Sequence, residues 1–590
     1  MSRRKRKQLR EQNKEKERAE KVARIQPTTT SLEDSVDSCV AALAQALAQG
    51  APALTSTTPN DEIGKRKEET GEIDPASSDA AGVTDPSLVP IPTIGTNGIP
   101  TSQKDKILNW NQALHIWLKP SGTYTTALLP PIEVEVARHF KVQALSSFLL
   151  ESSEGRLKMP AFERWLLDSR VLLYAQSSSS PDPVLSPGVT PNSPPSQRLL
   201  EEMVEGGKME RKTAMKVVRE FCHRNNVAVR ELAEQLAQHQ QHSAPFKKGD
   251  RIALEKPSEI RKAPPDGATK PAKRKRKRST STTELWTLVF HRKAWNKPFC
   301  VKIRPDHYQK LYTLFVRTHA MGPYPLHLSN PRILHIFHLL LLLLLTRYSS
   351  LAGGQLLMDL RGGGMQGAIH AQVFAVVQKY FGATSVKGDT ASQTLPVYEG
   401  FGSPMNCHWS AFGSAFPDDL DWHFGSLGNF LQLDFQRGVV EANPPFAAGM
   451  MEHMHRHMER CLVKTKEPLT FVVIVPDGGD PSAADRSVVK KQGGKSLQHM
   501  LDSPFRRHHI LLRAKEHGYI EGAQYMRSTL FKESLYDTSV VVLQSDAAFA
   551  RQKDGFNQLE VELREAFASR HREEVERRKQ EKELAGSPDP

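Results

Sequence analysis

Two runs, residues 471–475 (FVVIV) and 539–543 (SVVVL), carry β-branched residues on both faces and contain no Gly or Pro. A strand that is apolar on both faces must be covered on both, so these runs predict the central strands of a sheet with helices packed on either side. Further strands are predicted at residues 397–401, 430–435 and 438–442. Helices are predicted at 307–318 and at 367–381, the latter ended by Gly382. Residues 286–290 and 299–303 read as a hairpin in front of the first of these helices. Strands and helices in alternation imply an α/β fold, and ligands of such sheets bind beyond the carboxyl ends of the strands.

Upstream the apolar period becomes helical. Ile107, Trp110, Leu114 and Trp117, then Val134, Phe140, Leu145 and Leu149, then Phe162, Trp165 and Leu166 recur three to four residues apart, and the pattern resumes over 199–238. Residues 102–245 therefore predict a helical domain, interrupted at 176–196 by a Ser/Pro-rich surface insertion. Residues 1–101 read as a disordered, low-complexity tail, 246–283 as a basic linker, 284–550 as the α/β domain and 551–590 as a charged, solvated helix and tail.

The net charge of +14 is concentrated in two of these segments. Residues 1–25 hold eleven Lys or Arg against four Glu, and residues 247–278 hold thirteen basic against four acidic side chains, so the rest of the chain is close to neutral. Flexible basic segments attract nucleic acid with little sequence preference, and the run KRKRKR at 273–278 also reads as a nuclear-localisation signal. The five cysteines stand singly without CxxC spacing, which offers neither a zinc site nor a disulfide framework. The basic amino terminus is followed by no apolar stretch, so no secretory signal is expected. Residues 333–345 include seven consecutive leucines, but the run is 13 residues long and contains His335 and His338. A membrane span needs about 20 apolar residues, so a buried helix or an insertion is expected instead. His453, His455 and His457 have no carboxylate or cysteine to complete a metal site and read as a solvated or RNA-facing helix face; no metal is expected.

At the carboxyl end of the strand predicted at 438–442 stands Asn443-Pro444-Pro445-Phe446, followed by a helix from about Ala447. This is the Asn/Asp-Pro-Pro-aromatic form found in methyltransferases acting on exocyclic amino groups. An aromatic amine is a poor nucleophile because its lone pair is delocalised into the ring. Two acceptors, the Asn443 side-chain carbonyl and the Pro444 backbone carbonyl, can grip both amine hydrogens, favour a pyramidal nitrogen and stabilise the positive charge that develops on it. Pro445 stiffens the loop, and Phe446 can stack on a base drawn out of its strand.

Residues 399–546 resemble the cap-specific adenosine-N6 methyltransferases, the phosphorylated-CTD-interacting-factor family. The matching blocks, in order, are FGSPMNC (401–407), SAFPDDLDWHFGSLG (414–428), LDF (433–435), EANPPF (441–446), VVIVP (472–476), FRRHHILL (505–512), EHGY (516–519) and SVVVLQSD (539–546), with weaker likeness at IEVEVARHF (132–140) and MPAFERWLL (159–167). The resemblance implies a Rossmann-like class I methyltransferase domain that binds S-adenosylmethionine, with a helical domain beside it holding capped RNA. It implies methylation at N6 of the adenosine next to a 7-methylguanosine cap of mRNA. In place of a GxG loop, Ser403, Pro404 and Asn406 are the donor-site candidates, with Asp418 or Asp434 as a further acceptor and the Asn443, Pro444, Pro445 and Phe446 turn on the same site. Arg138, Arg164, Arg506, Arg507, His508 and Glu516 are the substrate-side candidates. The chain departs from the family at Ala448, where an acidic residue is usual, and at Gly478 and Gly479, where a Trp can stand, so cap recognition is expected to differ. No WW module is found, because Trp110 and Trp117 are too close together, and binding to the phosphorylated polymerase tail is not carried over. The alternatives are an N6-adenine methyltransferase on uncapped RNA or DNA, and a catalytically weak RNA-binding scaffold. A nuclear enzyme with capped mRNA as partner and no membrane association is the resulting expectation.

Overall fold

The computed structural model describes residues 118–120, 130–157, 159–175, 182–240, 250–257, 285–321, 333–354, 367–382, 395–477, 495–522, 524–526, 531–552 and 556–586. The predicted tail, the KRKRKR run and Gly478 and Gly479 fall outside these residues. After a short strand β1 (Leu118–Pro120) come four helices, α1 (Ile132–Ser152), α2 (Met159–Ala175), α3 (Pro194–Glu201) and α4 (Arg211–Gln240). Pro131 precedes α1, and Glu133 and Glu135 in its first turn suit the positive end of the helix dipole. Pro194 and Pro195 begin α3, where a missing N–H costs nothing. The apolar stripes of these helices meet around Phe162, Trp165, Leu200 and Phe221.

Part of the expected Ser/Pro surface insertion is core instead. Val184 and Leu185 are fully buried, and the Asp182 carboxylate accepts both of their backbone N–H groups (2.9 and 2.8 Å) while also accepting from Arg138 Nε (2.7 Å). Within the expected basic linker, β2 (Arg251–Glu255) pairs antiparallel with β3 (Trp286–His291), which pairs with β4 (Phe299–Ile303). The charges around Ile252, Ala253 and Leu254 hide a short edge strand in the sequence, and Asp250 there is the ion-pair partner of Arg292.

Next come α5 (Pro305–Met321) and α6 (Ile333–Leu351). Helix α6 is long and apolar enough to cross a membrane by length and composition, yet it is mostly buried inside the protein, with Leu339 to Leu345 each at most 1% exposed. A helix apolar on every side is stable in a globular chain only as a core element, and α6 packs on α1, α2, α5, β2 and β4. The polyleucine run is therefore a structural element of 19 residues.

The remainder is α7 (Ala371–Val377), β5 (Val397–Glu399), β6 (Leu433–Phe435), β7 (Gly438–Ala442), α8 (Ala448–Lys464), β8 (Leu469–Pro476), β9 (Arg506–Leu512), β10 (Gly518–Ile520), β11 (Phe531–Glu533), β12 (Thr538–Gln544), α9 (Asp546–Arg551) and α10 (Asn557–Gly586). Five strands form a mixed central sheet in the order β5-β7-β8-β12-β9. Strands β5, β7 and β8 run parallel, and β12 runs antiparallel between β8 and β9. One face, including Val440, Phe471, Val473 and Val541, is covered by Met451, Met454 and Met458 of α8. The other, including Val397, Val439, Val472, Ile474 and Val540, is covered by α7 and by Leu559, Leu563 and Phe567 of α10. The two runs that opened the sequence analysis are thus central strands covered on both sides, and α10 is only partly solvated. The strand expected over 430–435 begins later, because Asn429 accepts the Leu431 N–H (3.0 Å) and starts a 3-10 turn; β6 then pairs with β1 outside the main sheet. The helix expected from 367 begins at Ala371, since Ala368 bridges to Ile520 instead.

A buried ion network ties the helices to the sheet. Arg347 of α6, fully buried, donates from Nε to both Glu135 carboxylate oxygens (3.0 and 2.9 Å) and from Nη2 to Asp419 Oδ2 (2.8 Å). Glu135 also pairs with Arg138 (2.5 Å). Removing one partner of a buried pair strands the other charge, at a cost of about 3–5 kcal/mol. Glu135→Gln is expected to lose stability of that order in denaturant unfolding, whereas exchange of the exposed Glu220, partner of Arg224, is expected to cost under about 1 kcal/mol.

Candidate active site

Strand β7 delivers the Asn443-Pro444-Pro445-Phe446 turn at its carboxyl end, and α8 begins two residues later. Asn443 is 9% exposed. Its Nδ2 donates to the Gly367 carbonyl (2.8 Å), which fixes the amide plane, while its Oδ1 is buried without a partner among the described residues. Gly367 is itself held in place by the neighbouring Ala368, which exchanges two backbone hydrogen bonds with Ile520 of β10 (2.9 and 2.7 Å). The Pro445 carbonyl accepts the Ala447 N–H (2.7 Å), but no described residue donates to the Pro444 carbonyl.

Asn443 and Pro445 line a cleft of about 760 Å³, counted to its open mouth, at the carboxyl ends of β5 and β7. The loop after β5 supplies Gly400, Phe401, Gly402, Ser403 and Asn406, and Ser414, Ala415, Asn429 and Phe430 continue the wall. A Cβ at Gly400 would come within 2.8 Å of the Glu441 carbonyl oxygen and of the Phe430 ring, so only glycine lets this loop run so close to β7. Ser403 and Asn406 close a compact turn, with Asn406 Oδ1 accepting from both the N–H and the Oγ of Ser403 (2.7 Å each). Lys310 of α5 donates to the carbonyls of Met405 (3.1 Å) and Cys407 (2.8 Å) from behind. Leu167 and Arg170 of α2, Tyr348 and Leu351 of α6 and Met450 of α8 complete the lining. Tyr348 donates to Asp421 Oδ2 (2.8 Å), and the Arg170 guanidinium stacks 4.5 Å from the Phe416 ring centroid.

Two buried glutamates stand side by side at the ends of β5 and β7, Glu399 opposite Glu441. Burial pushes Glu399 up to about 7, against the N–H groups of His408 and Trp409 that its Oε2 accepts (2.7 and 3.2 Å) and against Lys310. Burial, and then the neighbouring Glu399, holds Glu441 well above the ordinary range.

The sequence candidates divide sharply. Asn443, Pro445, Ser403 and Asn406 meet in the cleft, with Pro444 buried beside them and Pro404 inside the turn. Phe446 is half-buried and is not part of the lining; its ring meets Tyr519 edge-on with centroids 5.8 Å apart. Asp418 is exposed and outside the lining, and Asp434 on β6 faces Lys464 (3.7 Å). Arg138 is 2% exposed and paired with Glu135 and Asp182, and Arg164 pairs with Glu202 (2.5 Å), so both are engaged within the helical part of the protein. Arg506, Arg507 and His508 open β9, where Arg506 registers with Leu543, whereas Leu512 registers with Thr538, the partner of Pro476. They are consequently at the end of the sheet opposite to Asn443, where Arg507 pairs with Asp546 (2.5 Å) and His508 with Glu560 (3.2 Å). Glu516 is exposed in the turn after β9, outside the lining. His455 and His457 are buried rather than solvated, His457 against Phe430 and Phe435, and burial pushes His457 down to about 4. No three His, Cys, Asp or Glu side chains converge as metal ligands among the described residues. Sequence reasoning missed Arg170, Tyr348, Leu351, Asn429 and Met450, none of which lies in a matching block, although Asn429 directly follows the block that ends at Gly428.

Residues 324–522 match the sequence model of a family described as "Phosphorylated CTD interacting factor 1 WW domain". Here the matched residues include α6, the 400–407 loop, the Asn443–Phe446 turn and four of the five central strands. The description names a WW domain, a module the sequence reading does not find. A curated protein of Homo sapiens, mRNA (2′-O-methyladenosine-N(6)-)-methyltransferase, is 34% identical over 210 residues, which are 35% of this chain and 26% of the relative. The protein of the same description from Mus musculus is 33% identical over 210 residues, with the same coverage. The chain thus matches about a quarter of the length of these relatives, and the resemblance drawn from the ordered sequence blocks is borne out over that stretch.

The glutamate pair yields a test. Because the folded-state value of Glu399 is raised above that of the unfolded chain, its contribution to stability is complete below about 4.5 and is lost as pH rises through about 7. Thermal melting of the wild type is expected to fall between about pH 5 and 8, and Glu399→Gln is expected to flatten that slope; an equal slope in both proteins would contradict the assignment.

Proposed function

We propose that this chain is a Rossmann-like class I methyltransferase that uses S-adenosylmethionine to methylate N6 of the adenosine adjacent to a capped mRNA 5′ end. The observation that carries the reading is the Asn443 side chain. Its amide nitrogen is tied down by Gly367, and its carbonyl oxygen is buried, unpartnered and part of a residue that lines the cleft. Leaving an acceptor unmet costs about 1–3 kcal/mol, a cost that a bound amine would repay. The Pro444 carbonyl is the second acceptor, and together they would orient the two N–H groups of the amine and stabilise the charge gained during transfer. The antiparallel β12 between parallel-running β8 and β9, and a cleft at the carboxyl ends of β5 and β7, support the Rossmann-like reading.

The residues that would hold the donor are Gly400, Phe401, Gly402, Ser403 and Asn406 of the loop after β5, with Asn429 and Phe430 beside them, since they line the same cleft as Asn443. When bound, S-adenosylmethionine supplies an electrophilic methyl group on sulfur. The curated relatives' description as mRNA (2′-O-methyladenosine-N(6)-)-methyltransferase supports adenosine in mRNA as the acceptor, and the matched family's description makes the phosphorylated tail of the transcription machinery a second partner to test. The uncapped reading draws on one specific observation: Arg138, Arg164, Arg507 and His508, four of the substrate-side candidates, are engaged in ion pairs.

The purified protein is expected to place N6-methyladenosine on a 7-methylguanosine-capped RNA beginning with adenosine and not on its uncapped counterpart, read by mass spectrometry after digestion. Asn443→Ala is expected to lose turnover by about a hundredfold or more with RNA affinity unchanged. Equal methylation of both RNAs would keep the amine chemistry and discard the cap, and an active Asn443→Ala would discard the site. Replacing the six cations of 273–278 with Gly and Ser is expected to weaken RNA binding, flatten its salt dependence and prevent nuclear accumulation, leaving turnover at saturating RNA intact.

A further inference from the structure

We propose that Asp168 is a positioning residue for the Asn443–Phe446 turn, a carboxylate from α2 that caps the amino end of α8 and locks the cleft's helical wall to the motif. The significance for catalysis rests on the function proposed above; the cap itself does not.

Helix α8 starts immediately behind the motif, and its N-cap residue is Ala447, which has no side-chain acceptor. The first N–H groups of any helix have no partner within it, and at a buried end that is costly. Asp168, 281 residues away in the chain, meets this need: its Oδ1 accepts the N–H of Gly449 (2.8 Å) and of Met450 (3.2 Å). Its Oδ2 accepts from Arg198 Nε of α3 (3.2 Å), which sets the carboxylate plane. A negative group here also faces the positive end of a 17-residue helix.

A second observation is independent of the hydrogen bonds. A Cβ on residue 449 would fall 2.8 Å from Asp168 Oδ1 and 2.9 Å from Arg198 Nη2, so the carboxylate reaches the helix end only because residue 449 is glycine. The two positions are matched to one another across the interface between α2 and α8.

The neighbours show what the contact controls. Leu167 and Arg170 flank Asp168 on α2 and line the cleft, as does Met450, whose N–H Asp168 holds. Asn443, at the start of the turn that leads into α8, lines the same cleft. A shift of α2 against α8 would therefore move the wall and the amine acceptors relative to each other, and misplacement by about 1 Å can cost a hundredfold in rate. Burial raises Asp168 to about 6, against Arg198 and the two backbone N–H groups, which keeps it anionic at neutral pH.

The test is a double-mutant cycle in the full chain, with Asp168→Ala, Gly449→Ala, their combination and Asp168→Asn. The readouts are kcat and KM on capped RNA, S-adenosylhomocysteine affinity by calorimetry, melting temperature and amide exchange of residues 448–452. Each Ala variant is expected to lower kcat about tenfold or more with KM for RNA within about twofold, and to speed exchange at Gly449 and Met450. The combined variant should be no worse than the poorer single one, because both break one contact. Asp168→Asn, which keeps an acceptor oxygen, should recover part of kcat. Additive losses in the cycle, or unchanged exchange in Asp168→Ala, would overturn the proposal. Should Asp168→Ala fail to fold, Gly449→Ala and Asp168→Asn still decide it, the first by slowed turnover with faster exchange and the second by partial retention. Absence of methyl transfer and of S-adenosylhomocysteine binding in the wild type would sink the proposed function, while the exchange data would still judge the cap.

Discussion

One guanidinium organises the molecule. Arg347 lies in the last turns of a largely apolar helix and is fully buried there, where an unpaired charge could not be kept. It is accepted there because Glu135 arrives from α1 and Asp419 from the loop between β5 and β6, each on a geometry that leaves its donors satisfied. Burial alone would weaken the cation, but the two carboxylates raise it above its ordinary value. The arrangement fixes the rotation of α6 about its axis, and with it the next residue, Tyr348, whose hydroxyl donates to Asp421 while the side chain lines the cleft. The leucines supply the drive to bury the helix, and the arginine decides which way it faces.

Much of the central sheet was legible in the sequence because apolar runs such as FVVIV and SVVVL tolerate few environments. The motif turn was legible because Asn-Pro-Pro-Phe follows a strand, precedes a helix and carries a chemistry that explains each residue. What could not be read were relations between distant residues. Arg138 and Arg164 look like any basic residue on a helix until Asp182 and Glu202 are found 44 and 38 residues away. Arg506 to His508 look close to the site because they follow core strands in sequence, yet the register of β9 on β12 sends them to the far end of the sheet. Asp418 and Asp434 read in the sequence as further acceptors at the donor site, whereas the cleft is lined by amides, hydroxyls, rings and aliphatic side chains, with Arg170 the charged exception. Strand β2 was hidden by its own flanking charges, which mark an edge strand as readily as a linker.

Most polar groups of the site have their needs met within the protein. Asn406 Oδ1 is used twice by Ser403, Asn429 Oδ1 by Leu431, and Asp168 by three donors. Such groups stiffen loops and can be explained by folding alone. Asn443 Oδ1 differs, since its own amide nitrogen is anchored on the Gly367 carbonyl while the oxygen has no described donor. A buried acceptor without a donor is a standing cost to the folded state, and native proteins hold few of them. Other buried side-chain atoms of this chain also lack a partner among the described residues, Asn225 Oδ1 among them, but this one falls at the carboxyl end of a central strand, on a residue that lines the cleft, within the one tetrapeptide whose chemistry calls for an acceptor. Physical cost, topology and chemistry point to one oxygen, and that convergence is the reason to look for an amine against it.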